Sequence, residues 1–340
     1  MESPKKLRIA LDAMGGDYAP EREIAGAIEA LRKSQNAFEI VLVGDEQSIQ
    51  KQLASQSAGK LPISIVHASQ VISMDDSPTA ALKQKKDSSL AVGMRLHSEG
   101  SVDGLVSAGN TGAVLSAATL ILGRIKGVSR PTIGTFIPAE TGFTLLLDAG
   151  ANVDCRAQQL YEFAVMGSIY VQLLRKKDRP TIGLLNVGEE KTKGTEVVLE
   201  AFKLLSNSTL NFVGNVEGRD ILKSSVDVVV CDGFVGNVIL KFGESVPHYL
   251  KSKLKQFADR GILNKLAVGL ALRPLRASLS DLDPNKEGGV PVLGVNGVAI
   301  IGHGSSTAEG IKNMILRAVE VVQSKVNRHI EAELQKPLVH

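Results

Sequence analysis

Seven short clusters of glycine, amide, hydroxyl and carboxylate residues punctuate the 340 residues of this chain. They are Asp12-Ala13-Met14-Gly15-Gly16-Asp17, Ser107-Ala108-Gly109-Asn110-Thr111-Gly112, Asp148-Ala149-Gly150-Ala151-Asn152, Asn186-Val187-Gly188-Glu189-Glu190, Gly214-Asn215-Val216-Glu217-Gly218, Cys231-Asp232-Gly233-Phe234-Val235-Gly236-Asn237 and Gly302-His303-Gly304-Ser305-Ser306. Glycine lets backbone amides approach an anion closely. A helix that follows adds unpaired N–H groups and the positive end of its dipole, worth about 0.3–1 kcal/mol at an exposed position. Segment 302–307, which precedes a helix pattern from Ala308, has this form, and so does 107–112. One such loop alone is commonly a strand-to-helix turn with a Ser or Thr cap. Several along one sheet edge point to a pocket for anions.

Other chemistries lack their signatures. The carboxylates Asp12, Asp17, Asp148, Glu217 and Asp232 are dispersed without metal-ligand spacing, and each is equally suited to capping a loop, so no metal is assigned and no cofactor is expected. Segment 302–307 approaches Gly-x-Gly-x-x-Gly but ends in Thr307, and no Gly-x-x-x-x-Gly-Lys-Ser/Thr occurs. Both facts count against nucleotide binding. Gly-x-Ser-x-Gly is absent, and Cys231 closes an apolar strand, where a core role is expected. Lys191 and Lys193 sit in a Glu-Glu-Lys-Thr-Lys-Gly stretch that reads either as a solvated loop or as a mobile lid carrying positive charge to an anionic substrate.

Strands that would present these clusters are expected at 7–11, 40–43, 63–66, 103–107, 132–137, 143–148, 181–185, 226–230 and 298–301, and another should precede Gly214. Helical periodicity shows in Ile24, Ala27, Ile28 and Leu31 after Pro20, and in Val114, Leu115, Ala118 and Leu122 after Thr111. Alternating units with near-continuous apolar strands predict an α/β fold, its mostly parallel sheet covered on both faces. Ligands in such folds bind at the carboxyl ends of strands. The clusters follow the strands, so they are expected to line a single rim. No Pro/Ser/Gly-rich tract divides the middle of the chain, which favours one domain over 1–340.

Composition narrows the partners. With 44% hydrophobic residues the chain can bury a large core, while 39 Lys+Arg against 36 Asp+Glu and only 4% aromatics argue against nucleic acid. Cys155 and Cys231 form no zinc or disulfide pattern, which fits a reducing cytoplasm. No apolar run suits a signal peptide or a spanning helix. Segment 241–276 carries eight basic residues, Arg276 among them, against Glu244 and Asp259, interleaved with Leu254, Phe257, Ile262, Leu263, Leu266 and Leu270. A helical arm over 241–290 is expected. It would lie on an anionic membrane through Leu263, Leu266 and Leu270, each cation adding about 1 kcal/mol, or pack against a second subunit, or do both at once.

Five of the clusters, those at 12–17, 107–113, 148–152, 231–237 and 303–306, resemble in order the bacterial phosphate acyltransferase family, which makes acyl phosphate from acyl-acyl carrier protein. The resemblance runs from about residue 7 to 330. It implies a three-layer α/β/α core like that of isopropylmalate dehydrogenase and phosphotransacetylase. It implies long-chain acyl-[acyl carrier protein] and inorganic phosphate as substrates, and acyl phosphate passed to a membrane glycerol-3-phosphate acyltransferase for phospholipid synthesis. It also implies a cytoplasmic homodimer held peripherally at the inner membrane face. Phosphate is already an oxyanion, so attack on a thioester needs positioning and charge stabilisation rather than a strong base.

The donors this chemistry would use are Asn110, Thr111, Asn237, Lys191 and the amides around Gly109, Gly112, Gly304 and Ser305, with His303 holding phosphate or protonating the thiolate. Asp12, Gly15, Gly16, Asp17, Asp148, Asn152, Lys193, Asn215, Glu217, Asp232 and Ser306 complete the expected binding set. A phosphotransacetylase-like enzyme using acyl-coenzyme A, a non-catalytic acyl- or phosphate-binding regulator, and a nicotinamide-binding dehydrogenase are the competing readings. The basic arm would also suit an acidic carrier protein.

Overall fold

The computed structural model describes residues 6–56, 58–278 and 285–336, with side chains throughout except at 276–278. Eleven strands are described: β1 (Arg8–Asp12), β2 (Glu39–Gly44), β3 (Ile63–His67), β4 (Gly104–Ser107), β5 (Thr132–Ala139), β6 (Gly142–Leu147), β7 (Thr181–Leu185), β8 (Asn211–Val216), β9 (Val228–Val230), β10 (Val290–Leu293) and β11 (Ala299–Ile301). The helices are α1 (Glu21–Lys33), α2 (Glu46–Ser55), α3 (Pro78–Gln84), α4 (Ser89–Ser98), α5 (Thr111–Ala117), α6 (Ala157–Arg175), α7 (Glu196–Ser206), α8 (Gly218–Lys223), α9 (Gly233–Ala258), α10 (Ile262–Ser278), α11 (Ala308–Ser324) and α12 (Val326–Leu334).

Side chains alternate across the strands, and both faces are buried. In β1, Ile9 and Leu11 join a core with α1, α6 and α11, whereas Ala10 joins a second core with α4 and α5. A sheet between two helical layers results, the α/β/α arrangement expected.

All strands form one sheet in the order β3-β2-β1-β4-β11-β10-β5-β6-β9-β7-β8. The first five run parallel. Strand β10 is antiparallel to both neighbours, and β5 is antiparallel to β6. From β6 the strands β9, β7 and β8 continue parallel. These three reversals leave β6, β9, β7 and β8 running opposite to β1–β4 and β11. Carboxyl ends therefore fall on opposite edges of the sheet. The expected single rim becomes two, because the reversals are a property of pairing that no individual strand announces.

Strand β10 is absent from the expected set because Pro291 interrupts its pattern. Strand β8 runs past its expected end, so Gly214 and Asn215 lie in the strand rather than in a loop. Its pairing skips Val213 in a bulge at the sheet edge, which accommodates the glycine. The arm starts at Gly233 rather than 241, and α10 packs on α9. Leu263 and Leu270 are 77% and 81% exposed. Residues 279–284 of the expected arm, the Arg276 side chain and the ends 1–5 and 337–340 lie outside the described residues. Among the described residues no helix is long and apolar enough to cross a membrane.

Candidate active site

Strand β4 pairs with β1 on one side and β11 on the other, so the loops after all three emerge together. The Ser107 hydroxyl donates to Asp12 Oδ2 at 2.7 Å and the Met14 amide to Oδ1 at 3.2 Å. Asp12 is 2% exposed. Burial raises its carboxyl above the usual carboxylate range, while hydrogen bonds from Ser89, Ser107 and Met14 pull the other way.

Two glycines let the loops touch. A Cβ on Gly15 would stand 2.9 Å from the Gly109 nitrogen; one on Gly16 would stand 2.1 Å from Glu23 Oε1 and 3.4 Å from the Gly304 carbonyl. The exposed Asp17 donates its amide to that carbonyl at 2.9 Å, closing the rim.

Asn110 holds the rim rather than facing outward from it. Its Oδ1 caps α5 by accepting from the Ala113 amide at 3.0 Å, and its Nδ2 donates to the carbonyls of Ser73, Met74 and Asp76 at 3.3, 3.0 and 3.1 Å. The expectation that its side chain is a free donor is corrected here: both atoms are engaged by backbone. Thr111 is exposed at the start of α5, next to Gly109 and Gly112. The ring of His303 is exposed, and its Nδ1 accepts from the Ser305 amide at 3.4 Å and lies 2.9 Å from the Ser305 hydroxyl. The neutral ring therefore carries its proton on Nε2. Arg22 clamps the same loop by donating to the carbonyls of Ser305 at 2.9 Å and Ser306 at 3.3 Å.

The second rim holds the remaining expected residues. Asp148, 0% exposed, accepts from the amides of Gly150, Ala151 and Asn152 at 3.0, 2.9 and 2.7 Å and from Asn152 Nδ2 at 2.8 Å. Burial raises its carboxyl, and these bonds counter the rise. Asn152 Nδ2 also reaches the Pro131 carbonyl at 2.8 Å, so this pair locks a turn. A Cβ on Gly236 would stand 1.8 Å from the Asp148 carbonyl, which seats α9 directly on that turn. Asp232 caps α9 through the Val235 amide at 2.8 Å, and the exposed Asn237 lies over Gly150.

Asn215 donates to the Glu190 carbonyl at 3.0 Å, Glu217 pairs with Arg219 at 3.0 Å, and Lys191 and Lys193 are exposed. A cleft of about 370 Å³ opens on this side between Leu115, Arg124, Arg130 and Asn152. Cys231 is a buried core residue, and burial pushes its thiol up; burial first and the Asp148 charge next push Cys155 to about 11. Neither is an activated nucleophile. Among the described residues no three His, Cys, Asp or Glu side chains gather as metal ligands.

Three contributors escaped the sequence reading. The 73–76 turn, stapled by the Ser73 amide donating to Asp76 at 2.7 Å, joins the first rim through backbone carbonyls, which leave no mark in a sequence. Arg22 and Glu23 read as ordinary first-turn residues of a helix.

The family described as "Fatty acid synthesis protein" matches residues 7–329. A phosphate acyltransferase of Pelotomaculum thermopropionicum is 46% identical over 329 residues, spanning 97% of this chain and 95% of that one. One of Heliobacterium modesticaldum is 47% identical, spanning 97% and 99%. Among solved structures, a phosphotransacetylase from Streptococcus pyogenes superposes with a TM-score of 0.63 at 17% identity, over 94% of this chain and 95% of that one. The EutD phosphotransacetylase of Staphylococcus aureus gives 0.60 at 16%, over 94% and 95%. The structural likeness is one of fold; near half-identity over almost the full length is what decides kinship, and the chain belongs to the phosphate acyltransferase family.

Proposed function

We propose that this enzyme transfers a long-chain acyl group from acyl-[acyl carrier protein] to inorganic phosphate, with the phosphate held on the rim of β1, β4 and β11. The observation that carries this is the meeting of three glycine loops around an exposed imidazole: Gly15 against Gly109, Gly16 against Gly304, and His303 braced by Ser305. A phosphate oxygen attacks the thioester carbonyl carbon and the carbonyl oxygen takes up the electron pair. Collapse of the tetrahedral intermediate breaks the C–S bond. The thiolate leaves and takes up the proton that the attacking hydrogen phosphate gives up, with the His303 ring as the candidate carrier between them.

The Thr111 hydroxyl and the amides near Gly109, Gly112 and Gly304 are the candidate oxyanion donors, each good one worth about 2.7–4 kcal/mol. Asn110 serves by holding the 73–76 turn. Asn237, Lys191 and Lys193 stand on the opposite edge and are not assigned to the same phosphate. The reading extends to a cytoplasmic homodimer whose basic arm meets an anionic membrane, where acyl phosphate passes to a membrane glycerol-3-phosphate acyltransferase.

The test is incubation with palmitoyl-carrier protein and phosphate, following free thiol and a hydroxylamine-sensitive product. A parallel arm with palmitoyl-coenzyme A decides the donor. No phosphate-dependent thiol release from either thioester would refute the reading.

A further inference from the structure

Directly behind the first rim sits a carboxyl that the proposed reaction leaves unused. Glu23, in the first turn of α1, is 2% exposed, and its Oε2 has no hydrogen-bond partner in the protein. Its Oε1 occupies the space beside Gly16, the glycine whose other neighbour is the Gly304 carbonyl. Glu23 is thus separated from the outward face of the cradle by a residue with no side chain.

Its surroundings hold mostly negative charge. Asp12 at the end of β1 and Asp17 in the following loop both oppose its ionisation, and Arg22 beside it on α1 favours it. That guanidinium is already engaged with the carbonyls of Ser305 and Ser306 and stacked 3.5 Å from the centre of the Tyr18 ring. The 302–307 loop contributes His303. On α11, which packs against α1, Lys312 is shared between Glu29 and Glu309 at 3.7 and 3.5 Å.

We propose that Glu23 is a proton-linked anion-binding residue: it is protonated when phosphate occupies the rim, and loss of that proton weakens phosphate binding. This rests on the phosphate site proposed above. An anion in the cradle would face a third negative charge if Glu23 were ionised next to Asp12 and Asp17, whereas the neutral carboxyl repels nothing and keeps an O–H to donate. Burial first, then the Asp12 and Asp17 charges, against its own backbone amide and Arg22, lift its pKa to about 7, so the proton is exchangeable near neutrality. Linkage is reciprocal: whatever the anion does to the proton, the proton does to the anion.

Sulfate, which keeps its charge across this range, is the probe. Its dissociation constant is measured by calorimetry on the full chain and on Glu23→Gln, from about pH 6 to about pH 8.5. The expected result is near-equal affinity at the acid end and about tenfold tighter binding by Glu23→Gln at the alkaline end. A ratio constant with pH overturns the inference, and so does sulfate that binds neither protein. Should Glu23→Gln fail to fold, Asp17→Asn replaces it: removing that neighbouring charge should move the midpoint of the sulfate profile to lower pH, and an unmoved midpoint overturns the inference. Acyl phosphate formation by the unaltered enzyme together with a constant ratio would retain the proposed function and reject Glu23; a pH-dependent ratio without any product would do the reverse.

Discussion

Ser107 and Asp12 lie 95 residues apart and are joined by a 2.7 Å hydrogen bond at the carboxyl ends of adjacent strands. Both are buried, so Ser107→Ala strands a carboxylate oxygen without its donor, at about 1–3 kcal/mol. The variant should melt earlier and turn over more slowly. Thermal unfolding read beside the thiol-release assay checks this; an unchanged melting curve would show that the bond is not needed.

Asn110→Ala removes a helix cap worth about 1 kcal/mol and releases the 73–76 turn. Asn110→Asp keeps the cap acceptor but turns three donated bonds into repulsion from carbonyls. Aspartate should therefore preserve no more stability than alanine while raising the phosphate KM at least as much. Equal KM values for both variants and the parent would mean that the turn does not shape the site.

His303 is exposed and supports no buried contact, so His303→Ala should leave the unfolding midpoint where it is. Turnover should fall by about 10²–10⁴, the usual range for loss of a proton-transferring group. A single-turnover measurement with palmitoyl-carrier protein discriminates: normal chemistry would remove the imidazole from the reaction.

His97 provides a pH dependence of stability. Its Nε2 accepts from the Val298 amide at 2.8 Å and its Nδ1 faces the Val102 carbonyl at 3.1 Å, so the half-buried ring is held neutral. Burial pushes its pKa below 6.5. A lowered folded-state value means stability that is present above 6.5 and lost as pH falls, because only the unfolded chain takes up the proton readily. Denaturant unfolding from neutral pH into the acid range should show this loss, and His97→Gln should flatten the slope. A parallel slope in the variant would assign the acid sensitivity elsewhere.

Leu266 and Leu270 stand exposed on α10. If the arm is the membrane contact of the proposed homodimer, changing both to Glu should release the enzyme from anionic vesicles in a flotation assay while the dimer persists in sedimentation. If the vesicles keep the protein and the dimer separates, the arm serves subunit contact.

Strands such as Ile40–Val43 and Leu145–Leu147 were legible because each is an unbroken apolar run whose burial is decided locally. Glycines 15, 16, 109 and 304 were legible as points where loops approach closely, because a side chain there would clash. What remained hidden depends on pairing. Pro291 concealed β10, whose antiparallel course helps place His303 and Asn237 on opposite edges. The partners of Asn110 are carbonyls, identical at every residue, so its structural duty had no sequence sign. Glu23 resembles any acid in a first helical turn until the packing removes its solvent.

One further result follows from the order of strands. β11 and β10, the last two in sequence, stand side by side in the middle of the sheet and alone join β4 to β5. A polypeptide leaving the ribosome therefore carries two unjoined half-sheets until its final fifth has emerged, and the imidazole loop arrives with the fastening strands. The joining of the two halves and the arrival of the loop that carries His303 are one late step of synthesis, so a prematurely terminated chain lacks both together.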